Sequence, residues 1–229
     1  MDFFQFSAPA GWLLVDFGLG LIVLLGYTLI PSVYRPLART IRWIILPYLA
    51  LLTGGISPRL MGLSGINWLV SFGFGLGLIA AVLGLLLLVR STTDIAIGTP
   101  TPGGKNSVDH ITDHTYRRYS LGPIVYAGAE EFHWCFLRGA LWEILQGAIL
   151  QSDQAGYWAI WLAALMALPG ILRFQTTLLT RLIKVILLLL TTILFVYTQN
   201  FWLCWLLHGL VILLLMPQEE MNTLSDKLA

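Results

Sequence analysis

Charge is what this chain has least of. Only 11% of its 229 residues are Asp, Glu, Lys or Arg, against about a quarter in soluble domains, while 57% are hydrophobic. That composition excludes a water-soluble globule and points to an all-α polytopic membrane protein whose first partner is the lipid bilayer. The net charge is +1, and no Lys/Arg cluster is laid out to track phosphates, so nucleic acid is excluded as a partner. The two cysteines, Cys135 and Cys204, fall in apolar segments without a C-x-x-C pattern. They exclude a disulfide framework and a thiolate metal centre, and read as small buried hydrophobes. Residues 1–10 carry Asp2 and no basic stretch ahead of the first apolar run, so they lack the form of a cleavable signal peptide and the first span is expected to be kept. Gly103-Gly104-Lys105 lacks both the spacing and the preceding strand of a phosphate loop.

What the chain does have is apolar runs long enough to cross a hydrocarbon core of about 30 Å. They cover residues 12–30, closed by Pro31; 43–63, weakened by Gly54-Gly55-Ile56-Ser57-Pro58; 68–89, rich in Gly and Leu; then 121–150, 157–172, 176–198 and 200–216. The expectation is about seven transmembrane helices. Three lie in an N-terminal region (1–90) and four in a core (121–216), separated by a polar cytoplasmic loop (91–120) and followed by a polar tail (217–229). With seven crossings and the N-terminus outside, eleven of the 13 Lys and Arg residues lie on the inner side, only Arg59 lies outside, and Arg138 is in the membrane. This positive-inside bias places the C-terminus in the cytoplasm and the protein in the plasma membrane. Asp16 reads as a snorkelling acid near the start of its span, and Glu143 as an interfacial one. His110 and His114, spaced i,i+4 beside Asp109 and Asp113, read as a solvated loop ahead of a divalent-metal site.

One apolar run carries charge in its middle. Glu130, Glu131, His133 and Arg138 fall within residues 121–150, where each unpaired charge costs roughly 2.5–3.5 kcal/mol to insert. At about 100° per residue, Glu130, Glu131 and Arg138 share one face, whereas His133 lies about 60° to the other side of Glu130. Glu131 and Arg138 are two turns apart, about 10 Å along the axis, a reach that both side chains must stretch to close. Adjacent acids in low dielectric resist double ionisation, which fits one of them to work as a general acid or base. The bland alternative is a charge-neutral lock between helices. His208 lies about 12 Å into the last run and Glu130 about 13–14 Å into its own from the opposite surface, so both reach the midplane.

Ala127-Gly128-Ala129-Glu130-Glu131 running to Arg138-Gly139, then Thr198-Gln199-Asn200-Phe201-Trp202 and His208-Gly209-Leu210, resembles the CPBP intramembrane proteases, the type II CAAX prenyl endopeptidase and bacteriocin-processing family. The likeness covers roughly residues 121–216. It implies an endopeptidase in which Glu130 activates a water nucleophile, Glu131 and Arg138 support it, and His208 positions the water or the oxyanion. The substrate class implied is a peptide or membrane protein. The sequence departs from the family pattern in three places: six residues separate Glu131 from Arg138 where the family has three, Ile212 stands four after His208 in place of Asn or Asp, and neither run 157–172 nor 176–198 holds the family's second-motif histidine. His133 is the available substitute for that imidazole. Whether a metal sits among Glu130, Glu131, His133 and His208 stays open at this point, since the certain ligands are too few to assign zinc. A catalytically inactive relative acting as a membrane scaffold or accessory subunit is the competing expectation, and a small carrier ranks below both.

Overall fold

A computed structural model describes residues 8–26, 29, 31, 34–97, 122–148, 152–174 and 178–215. Among these, every regular element is helical and there are seven rods. They are α1 (Pro9–Leu25), α2 (Arg35–Leu52), a third rod made of α3 (Trp68–Val70), a π-helical turn (Ser71–Gly75) and α4 (Leu76–Ile97), then α5 (Gly122–Ala148), α6 (Ser152–Phe174), α7 (Leu178–Thr198) and α8 (Phe201–Leu215). Three stretches are long and apolar enough to cross a membrane: Trp68–Leu88, Gln154–Arg173 and Leu178–Thr198. Their outward residues suit lipid, with Leu69, Leu165, Leu178 and Leu182 among the exposed side chains. The helices α1 and α8 are apolar but shorter. At 27 residues, α5 is about 40 Å long, and four charged residues interrupt its apolar character.

The axis of the bundle is α5, which packs against α1, α2, α6 and α8, while α7 closes on α6 and α8. Glycines allow the close approaches. A Cβ on Gly156 of α6 would overlap the indole of Trp142 on α5, and one on Gly128 would overlap that of Trp205 on α8.

The second apolar run stops earlier than its composition suggests. At Leu52 the chain leaves the helix through Thr53, Gly54 takes φ +70°, Gly55 N–H donates to Ala50 C=O and Gly54 N–H to Leu51 C=O. This is a Schellman closure, which a glycine in the left-handed region makes without a Cβ clash. Residues 53–67 then fold back into the protein as turns: Ile56 and Met61 are buried against Gly139, and Glu143 accepts Ser57 N–H at 2.8 Å. Glu143, expected at the interface, is half-buried and pins this loop. Gly62 C=O accepts Phe201 N–H at 3.0 Å. Asn200 accepts from Trp202 N–H (2.9 Å) at the start of α8 and donates to Ser71 Oγ of the π turn (3.1 Å), so the loop, the third rod and α8 meet at one buried amide. The residues of the 98–121 linker, with His110 and His114, and the tail 216–229 lie outside the described residues.

Candidate functional site

Two polar clusters sit side by side on α5. The first joins α5, α7 and α8. Arg138 bridges the two turns back to Glu131, Nη1 donating to Oε1 at 2.8 Å, and its Nη2 donates to Thr191 Oγ1 on α7 at 3.4 Å. The ring of Phe195 lies 4.9 Å from the guanidinium carbon, a cation–π contact in a site that is fully enclosed. Lys184 of α7 donates to Glu130 Oε2. From α8, His208 reaches both acids: Nδ1 is 3.2 Å from Glu131 Oε2, and Nε2 is 3.5 Å from Glu130 Oε2 and 3.3 Å from Lys184 Nζ. An ammonium only donates, so His208 Nε2 is the acceptor toward Lys184 and Nδ1–H donates to Glu131. Trp134 stacks on the imidazole, 5.0 Å between centroids. Two acids face two cations, which satisfies the condition for burying charge without a net excess. Cys135 and Cys204 are buried at its edge, Cys135 Sγ accepting from Arg138 Nη1 at 3.5 Å.

The second cluster joins α1, α2 and α5. Asp16, expected near the lipid–water boundary, is instead only 2% exposed. Arg42 of α2 donates to its Oδ1 through Nη2 at 2.8 Å and Nε at 3.0 Å, and His133 Nε2 lies 3.1 Å from both its oxygens. A carboxylate there meets partners from two helices, so it has no need to reach for the surface. Gly20 makes room for the pair, since a Cβ there would lie 2.9 Å from Arg42 Nη1. Trp43 sits beside the His133 ring, with centroids 6.2 Å apart. His133 therefore turns to Asp16 rather than to Glu130.

A cleft of about 490 Å³ connects the two clusters. It is lined by Glu130, His133, Asp16 and Arg42 together with Trp43, Trp134, Leu137, Leu24, Arg39 and Arg173. Lys184 donates to Oε2 of Glu130, so one of the two oxygens of a carboxylate that borders the cleft is occupied. Glu131, Arg138, Lys184 and His208 do not border it.

Of the five residues singled out from the sequence, the structure brings Glu130, Glu131, Arg138 and His208 into one cluster and puts His133 in the neighbouring one, on the shared cleft. Sequence reasoning missed Lys184 and Arg42 as members, counting both only among the eleven cations of the inner side. Lys184 carried a readable signal: it lies in register with the buried Thr180, Leu187, Leu188 and Thr191 on the inward face of α7. Among the described residues, no group of three or more His, Cys, Asp or Glu is placed to hold a metal ion. Comparison with protein-family models, curated proteins and solved structures found no match.

Proposed function

We propose that the protein crosses the plasma membrane seven times, N-terminus outside, and acts as a CPBP-like intramembrane endopeptidase in which Glu130 activates a water. The observation that carries this reading is the cleft with Glu130 on its wall and an imidazole, His133, on the same wall. Hydrolysis within a membrane needs both a hydrated approach and a base that borders it. Lys184 stands behind Glu130 and fixes its carboxylate, itself held by His208 Nε2, while the other carboxylate oxygen is left to accept a water proton. The hydroxide so formed attacks the peptide carbonyl, the proton held by Glu130 passes to the leaving amine, and Arg42, held by Asp16 beside His133, supplies a donor to the developing oxyanion. His208 is then a positioning residue rather than the oxyanion donor that the resemblance implies. Lys184 is the group from a following helix set against Glu130, where the family pattern asks for a histidine.

The test is Glu130→Gln. Profiling of new protein termini in membranes of cells expressing the wild type should show cleavage products that vanish in the variant, with equal insertion of both. Identical profiles from the wild type, the variant and cells lacking the protein would sink the peptidase reading. A second reading, an inactive relative serving as a membrane scaffold or accessory subunit, draws on a different observation: each carboxylate of the inner cluster has a cation in contact. Under that reading Glu130→Gln lowers thermal stability and changes no terminus.

A further inference from the structure

Two glycines line the cleft, Gly20 on α1 and Gly170 on α6. Their missing side chains answer different demands. A Cβ on Gly20 would overlap the Arg42 guanidinium, so that space is taken up by the protein's own packing. A Cβ on Gly170 would meet no neighbouring atom within 4 Å among the described residues. Glycine is also a poor helix former, and Gly170 follows Pro169, which has no N–H to give to the α6 ladder. Neither helix propensity nor packing within the chain accounts for the open position.

The register of two helices puts that position near Glu130. Helices α5 and α6 are joined through residues 149–151 and pack together, which makes them antiparallel neighbours. Starting from Trp142 against Gly156, Glu130 lies twelve residues back along α5, about 18 Å, and Gly170 fourteen residues on along α6, about 21 Å. The two positions come within one helical turn of the same level, and both line the cleft. Met166 and Ala167, one turn before Gly170, line it as well, as does Trp134, one turn after Glu130. A side chain lying over Gly170 therefore has apolar neighbours on both helices. At about 490 Å³ the cleft has room for a large side chain together with the peptide group that carries it.

We infer that Gly170 opens a pocket for a bulky apolar side chain of the substrate beside the scissile bond, so that the preferred substrates are apolar segments cut next to large residues. The inference rests on the peptidase reading and names its substrate class. Gly170 is the specificity-determining position, because any side chain placed there competes with the substrate for the space facing Glu130. Two measurements test it. New protein termini are profiled in membranes of cells expressing the wild type, Gly170→Leu or Glu130→Gln, and the residues flanking each Glu130-dependent cut are compared. Separately, each inserted protein is treated with bulky, apolar dicyclohexylcarbodiimide or with a small water-soluble carbodiimide, and modification of Glu130 is followed by peptide mass spectrometry.

Wild-type cuts should be flanked by large apolar residues such as Leu, Phe or Met. In Gly170→Leu those cuts should fall about tenfold or more relative to cuts beside Ala or Gly, with an unfolding temperature near that of the wild type. The same substitution should slow labelling of Glu130 by the bulky reagent and not by the small one. Glu130-dependent cuts beside small or charged residues in the wild type overturn the inference, as do flanking residues that stay the same in Gly170→Leu. Labelling by the bulky reagent that is unchanged in Gly170→Leu overturns it too, because the pocket would then lie elsewhere. Absence of any Glu130-dependent terminus sinks the peptidase reading and the substrate preference with it, an outcome distinct from cuts that ignore residue 170. If Gly170→Leu unfolds, Gly170→Ala decides: a smaller shift toward small flanking residues supports the pocket, and an unchanged profile overturns it.

Discussion

The two polar clusters on α5 hold similar groups under different conditions. Around Glu131 and Arg138 both side chains are essentially unexposed (0% and 1%), and their partners come from α5, α7 and α8. Around Asp16 the acid is buried, but the Arg42 side chain keeps 18% of its surface and the cleft runs alongside. In the first place no water replaces a lost partner. In the second, water is one side-chain length away. Glu130 lies between these regimes, with Lys184 and His208 behind it and the cleft in front. The contrast teaches that position relative to the cleft, more than the number of contacts, separates a group held for structure from one available for chemistry.

Substitutions should grade accordingly. The largest effect is expected for Arg138→Met, which strands Glu131 in a sealed site and should cost about 3–5 kcal/mol; chemical unfolding in detergent reads it directly. Combining it with Glu131→Gln should recover a large part of that loss, because the uncompensated charge goes with its partner. Lys184→Met strands Glu130, which the cleft can hydrate, so a smaller loss of about 2 kcal/mol is expected. Equal losses for Lys184→Met and Arg138→Met would erase the distinction between the two carboxylates. Asp16→Asn keeps the shape and part of the hydrogen bonding beside a partly exposed arginine, and should cost about 1 kcal/mol in the same titration. Glu143→Gln, outside both clusters, keeps an acceptor for Ser57 N–H and should stay within about 0.5 kcal/mol of the wild type; a larger loss would mean that the 53–67 loop depends on the charge itself.

Much of this arrangement was legible in spacing. Glu131 and Arg138 share a helix face by arithmetic, and equal depth in two runs brought His208 to the acids. Lys184 was hidden by its position near the start of an apolar run, where a basic residue is normally an orientation marker. Only its register with Thr180 and Thr191 separates it from Arg181, one of the same stretch. Asp16 was read singly and Arg42 only as one charge among those of the inner side, because the pairing of α1 with α2 is a tertiary fact that neither run announces. The end of α2 at Leu52 was foreshadowed by Gly54-Gly55, although apolar residues beyond it mimic a continuing span. They are apolar because Ile56 and Met61 pack against Gly139, not because they meet lipid.

The most direct test of the central claim compares two neighbouring carboxylates in the unmodified protein. Treatment of the inserted wild type with a water-soluble carbodiimide and an amine, followed by peptide mass spectrometry, should modify Glu130 through the cleft and leave Glu131 untouched. Equal protection of both acids, with the protein folded, would mean that no water reaches Glu130 and would contradict the account.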